Sequence, residues 1–182
     1  MRKIICLVFA GALILTSSNA FSQGMTIVLK AMDGTTKLNG ESIVAGHANE
    51  IDVLSYSQGV ADCPTCNTAQ ISDFNFMTTF TSSTITFKKL SLNASKLTSV
   101  DVTFMRPGTT PFVFLRIHME SVAVTSEQES GSTGGDTKPT VSISLSADRI
   151  AWQYTLQKSD GTAGAKTSYG WDVVNNVQWT FF

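Results

Sequence analysis

Polar and apolar side chains alternate with a period of two along most of the chain beyond residue 25. Residues 26–32 set Ile27, Leu29 and Ala31 against Thr26, Val28 and Lys30. Residues 50–60 place Asp52, Leu54 and Tyr56 on one face and Ile51, Val53 and Ser55 on the other. Residues 72–80 gather Phe74, Phe76 and Phe80 opposite Asp73, Asn75 and Met77, and Val100, Val102 and Phe104 alternate with Asp101, Thr103 and Met105. Residues 112–125 read as a long strand or a bent pair, with Val113, Leu115, Ile117 and Met119 opposite Arg116, His118 and Glu120. Runs at 141–146, 150–156 and 177–181 complete a set of eight. Strands with one apolar and one polar face predict an antiparallel sandwich or barrel.

Residues 82–93 break the period. Apolar residues stand at 85, 87, 90 and 92 around Lys88 and Lys89, and Ser82 or Ser83 is placed to cap a helix start. Breaks fall at Asp33-Gly34 and at residues 38–46, 59–70, 106–111, 126–139 and 159–164. Strands resume after the Gly/Ser-rich stretch 129–136, so it reads as a loop within one domain. The expectation is one β-rich domain, residues 21–182, with a single helix.

The first twenty residues differ from the rest. Arg2 and Lys3 precede an uncharged apolar run, and Ser18-Asn19-Ala20 puts small residues before a cut at Phe21, the pattern of a secretory signal peptide. The run of about 12 residues is shorter than the roughly 20 a membrane helix takes. This predicts a secreted or periplasmic protein with no membrane span in the mature chain. A start at Met25 is the alternative reading of the amino terminus.

Of 182 residues, 15% are charged and the formal net charge is −1. Without Arg2 and Lys3 the mature chain carries −3. A nucleic-acid binder needs a basic stripe, and none is present. The polar positions are mostly 21 serines and 23 threonines, which suits strand faces.

Candidate chemistry is sparse. His47 and His118 are the only histidines, neither lies in a nucleophile motif, and both read as solvated or interface residues. Glu127 and Glu129 border a loop and read as solvated. No phosphate-cradling glycine loop follows a strand, and no cofactor or metal is called for. Cys63-Pro64-Thr65-Cys66 is the sharpest local motif. A disulfide between Cys63 and Cys66 suits an oxidising compartment; intersubunit or free thiols, a redox pair and half a metal site are the other readings. The ending Phe181-Phe182 is out of phase for an outer-membrane barrel, since Thr180, Gln178 and Asn176 share the register of Phe182. The chain is therefore expected not to be an enzyme.

The order of these pieces resembles the Hcp family of type VI secretion. An opening strand at Met25 is followed by residues 47–60, similar to the family's G-x-I-x-V-L-S-aromatic-S-x-G-V; Ile51, Val53, Leu54, Ser55, Tyr56 and Gly59 carry the match. Trp152 and Tyr154 resemble its I-x-W-x-Y, Asp160-Gly161 its D-G, and Gly170-Trp171-Asp172 its G-W-D. The resemblance implies a small antiparallel β-barrel of two packed sheets with one flanking helix. It also implies self-association into homohexameric rings that stack into a tube, with small effectors as possible cargo and no catalysis. An exported binding or adhesion protein of the same fold is the alternative.

Overall fold

The computed structural model describes residues 24–63, 68–108, 110–134 and 137–182. The leader and Cys66 lie outside them. The described residues are mainly β, with one helix. β1 (Thr26–Asp33) and β2 (Thr36–Lys37) form a hairpin in which Asp33 opposes Thr36. Gly34 there takes φ +60, the left-handed conformation a two-residue turn needs. β3 (Ile51–Asp52), β4 (Ser55–Ser57), β5 (Val60–Cys63), β6 (Thr68–Ile71) and β7 (Phe74–Thr79) follow. After α1 (Ser82–Leu92) come β8 (Lys96–Arg106), β9 (Phe112–Ser130), β10 (Thr140–Gln157), β11 (Ala163–Asp172) and β12 (Val177–Gln178).

Two sheets result, both antiparallel. The larger has ten strands in the order β12-β11-β10-β9-β8-β1-β2; β3 joins β1, β7 joins β10, and β4 joins β7. The smaller is the β5–β6 hairpin. β3 and β4 decide the shape. Val53 N donates to Ile27 O (3.0 Å) on β1, and Leu54 N donates to Met77 O (2.8 Å) on β7. Successive N–H groups of an extended chain point to opposite edges, so this one segment bridges two strands that do not pair with each other. The path β1-β8-β9-β10-β7 is thereby brought back to its start.

Inside lie Leu29, Ile51, Phe74, Phe76, Phe104, Met119, Ile143 and Ile150, all 2% exposed or less, with Phe87 of the helix edge-on to Phe76. The β8–β9 and β9–β10 ladders skip the same level, at Thr98, Ser121 and Asp148. Apolar positions change phase there: Leu97 and Val100, or Met119 and Val122, are buried three residues apart. Ser121 takes φ +54, and Lys96 Nζ holds both Asp148 carboxylate oxygens at 2.8 Å. Of the two readings of residues 112–125 the long strand is the correct one: they lie within the single strand β9, with this irregularity inside it.

Other expectations are corrected. Runs 141–146 and 150–156 are one strand, β10. Run 50–60 is interrupted at residues 53–54 by the change of partner, and run 177–181 is strand only at β12. The stretch 59–70 contains the β5–β6 hairpin, and β11 was missed because its Gly, Ala, Ser and Thr residues hide the alternation. The helix is capped by Thr81, not Ser82 or Ser83; its hydroxyl pairs with Ser83 Oγ at 2.7 Å.

Residues 38–50 fold tightly against β3. A Cβ on Gly40 would lie 2.1 Å from the Glu50 carbonyl oxygen, whereas one on Gly24 would meet nothing within 4 Å. Gly40→Ala should therefore cost about 1–3 kcal/mol, the usual range for overpacking, with Gly24→Ala neutral; urea unfolding of the two variants measures the difference.

Candidate assembly surfaces

The residues singled out in the sequence hold the framework together at three places. The first is the bridge. Ile51 and Val53 are buried in the core, while Leu54 and Ser55 face outward. Tyr56 stacks on Phe74 (5.8 Å) and meets Phe104 edge-on (4.7 Å). Gly59 N donates to Ser72 Oγ (2.7 Å) and Ser72 N donates to Gly59 O (2.9 Å), closing the neck of the β5–β6 hairpin. Trp152 Nε1 donates to Gln58 Oε1 (3.1 Å), so the bridge and β10 are tied beside that neck. Cys63 ends β5 opposite Thr68.

Asp160 and Gly161 form the second, the β10–β11 turn. Asp160 Oδ1 accepts from the Thr162 hydroxyl (2.7 Å) and backbone N–H (2.9 Å), which holds this carboxyl below its ordinary range. Gly161 takes φ +83.

The third is the end of β11. A Cβ on Gly170 would stand 2.5 Å from Trp179 O and 3.1 Å from Ala151 Cβ. Trp171 stacks on Tyr169. Asp172 is buried; it accepts from Arg149 Nε (2.9 Å), Asn175 N (2.8 Å) and Asn175 Nδ2 (3.0 Å). Chiefly through Arg149, the Asp172 carboxyl is lowered to about 2.

Two expectations about titratable groups are overturned. His118 is not solvated. It stands in a row with Asp101, Ala151 and Gly170 across β8–β11, on the outer side of the sheet. Its Nδ1 is 2.6 Å from Asp101 Oδ1, and the Phe181 ring covers it, parallel at 3.6 Å. Residues 179–182 lie over this row, anchored by Trp179 N donating to Gly170 O (2.9 Å), with the Arg149 guanidinium over Trp179. Sequence reading tested Phe181 only as a membrane signal and so missed it as a cover. Glu127 is not solvated either; it lies under α1 within β9. His47 stays at the surface, with Nδ1 2.8 Å from Glu50 Oε2.

Two further surfaces differ in chemistry. On the inner side of the sheet, Ile150, Trp152 and Tyr154 of β10 stand opposite Trp171, Tyr169 and Thr167 of β11. The row starts in the core and runs out of cover: Ile150 is 2% exposed, Tyr154 43%, Leu156 50% and Tyr169 52%. The outer side of β4, β7, β10 and β9 is a hydroxyl face instead. Ser55, Met77, Ser142 and Gln128 form one row, and Ser57, Asn75, Ser144 and Ser126 the next, with no ionisable side chain in either. Ser144 Oγ donates to Asn75 Oδ1 at 2.6 Å. Among the described residues no three His, Cys, Asp or Glu side chains are grouped to hold a metal ion, and no helix is long and apolar enough to cross a membrane.

The family model described as "Type VI secretion system effector, Hcp" matches residues 29–154. The chain belongs to the Hcp family. It is 28% identical over 151 residues to Protein hcp1 of Pseudomonas aeruginosa, covering 78% of this chain and 93% of that one. A type VI secretion system effector from Yersinia pestis superposes with a TM-score of 0.65 at 27% identity, over 82% of this chain and all of the other. Hcp1 from Salmonella typhimurium shares the fold, with a TM-score of 0.72 at 21% identity over 85% and 99% of the two chains. The span matched by the Hcp model includes the bridge, Trp152 and Tyr154, and stops before Asp160-Gly161 and Gly170-Trp171-Asp172.

The Asp172 cluster gives this Hcp chain an acid-sensitive edge. Its carboxyl ionises at about 2 when folded against an ordinary 3.8, so its contribution is complete above about pH 4 and is lost as the pH falls toward 2. Tryptophan fluorescence followed during acid titration should show the β11–β12 edge loosening over that window. Asp172→Asn should be less stable at neutral pH and should flatten the response between pH 4 and 2.

Proposed function

We propose that this Hcp-family chain is a structural subunit that joins copies of itself into a homohexameric ring, and that the rings stack into the tube of a type VI secretion system. The observation that carries the reading is the aromatic row Trp152, Tyr154, Tyr169 with Leu156, where a core face continues past its own cover. Large aromatic side chains that end half-covered beside a packed core are the usual anchors of protein–protein contacts. A head-to-tail contact of this kind closes into a ring when its rotation divides a full turn. The uncharged hydroxyl face on β4, β7, β10 and β9 suits the inner wall, because it offers passing effector cargo no fixed charge to adhere to.

Residues 1–20 are the basis of the second reading, an exported binding or adhesion protein of the Hcp fold outside any contractile tube, with residues 21–182 as one domain. In either case the β5–β6 hairpin carries Cys63, and a Cys63–Cys66 disulfide would lock its turn in an oxidising compartment. The proposed role is non-catalytic and uses no cofactor.

Native mass spectrometry of residues 21–182 should show a hexamer, and Tyr169→Arg should reduce it to monomer by removing an anchor worth about 2 kcal/mol or more. A wild-type monomer at all concentrations would remove the ring reading. Cell fractionation with amino-terminal sequencing separates the two settings: a chain starting at Phe21 in the periplasm favours the exported protein, and one starting at Met25 in the cytoplasm favours the tube.

A further inference from the structure

The cluster beneath α1 is used by none of the surfaces described above. At the β9–β10 bulge the register changes between Ser144 opposite Ser126 and Leu145 opposite Val124, leaving Thr125 as an extra residue. The extra residue turns Glu127 and Glu129 to the side of Ile143 and Val141, which point into the core. The Glu127 side chain is 5% exposed, and neither of its carboxylate oxygens has a hydrogen-bond partner. Lys88 of α1 reaches over this position. Its Nζ contacts the Glu129 carboxylate and stays 3.8 Å from Glu127 Oε1. β10 brings Val141 and Ile143, and Lys89, the other charged residue of the helix, is exposed.

Lys88 therefore serves one carboxylate closely and the buried one at a distance. An ionised Glu127 is a charge under the helix with no hydrogen bond, beside a second carboxylate. Such a group costs more to bury than an ammonium 3.8 Å away, already engaged by Glu129, returns. Proton uptake removes that cost without disturbing the Lys88–Glu129 contact.

We propose that Glu127 is a proton-operated clamp on α1: protonated, it lets the helix sit firmly on β9, and ionised, it loosens the helix while the strands stay paired. Burial pushes the Glu127 carboxyl above its ordinary value more than Lys88 lowers it, in keeping with the geometry. A carboxyl raised in the folded state favours folding below its ordinary range and loses that advantage as the pH rises through its folded value. The helix is thus held more firmly as the pH falls toward the ordinary carboxylate range. The clamp operates within one subunit and does not depend on ring formation.

Hydrogen–deuterium exchange of the intact protein between pH 4.5 and 7.5, corrected for intrinsic exchange, tests the clamp. The expected result is a loss of protection in residues 82–92 relative to β8 as the pH rises. Glu127→Gln should keep the helix protected across the range and abolish the pH response; Glu129→Gln should leave a response in place. A wild-type helix with flat protection overturns the clamp. So does a Glu127→Gln protein whose helix exchanges faster than wild type at pH 7.5, since the ionised carboxylate would then be an anchor. The wild-type titration decides the matter even if a variant does not fold.

Discussion

Two consecutive backbone N–H groups, those of Val53 and Leu54, hold together edges of the sheet that never meet. Each strand of the path from β1 through β8, β9 and β10 to β7 pairs with the next, but a sheet of that length left open would expose two long unpaired edges and the apolar face between them. The bridge satisfies one edge with one residue and the other edge with the following residue. Ile51 and Val53 can point into the core because the segment is extended there, and Tyr56 can pack on Phe74 and Phe104 because it has crossed to the second edge. The core that encloses Phe74, Phe76 and Phe104 exists only on condition that this segment crosses.

β8, β9 and β10 share one irregularity. Their ladders are interrupted at one level, where Ser121 adopts a left-handed conformation and Lys96 grips Asp148. Beyond that level the free edge of β10 passes from β7 to β11. β7 belongs to the closed circuit and β11 does not. The same strand therefore has a buried half and a half whose inner side, from Trp152 to Leu156, is only partly covered. The aromatic row follows from the path of the chain.

Much of this was legible because strand alternation is a local signal. Ile27, Leu29 and Ala31, or Val100, Val102 and Phe104, announce their faces unaided, and the ordered motifs from Ile51 to Asp172 identified the family. Less legible was whatever depends on a partner distant in sequence. Glu127 looks solvated beside a glycine-rich loop because nothing nearby reveals the bulge at Thr125 that turns it inward. His118 looks like a surface residue because its cover, Phe181, lies 63 positions away. At Val53 and Leu54 two apolar residues stand side by side and the apolar phase passes from odd to even positions, a shift that reads as a continued strand until the change of hydrogen-bonding partner is seen. Gly40 carries no motif, and its need for a missing side chain arises from a carbonyl ten residues later.

The β5–β6 hairpin leaves and re-enters the structure at Gly59 and Ser72, where two hydrogen bonds pinch its base. Its strands pair only with each other. A change of length between those two residues is therefore not transmitted to the register of any other strand, although Ile71 packs against the core. In evolutionary terms this is a free module: the chain can try new contact chemistry there, cysteines included, while the closed sheet behind it continues to obey an unaltered folding code.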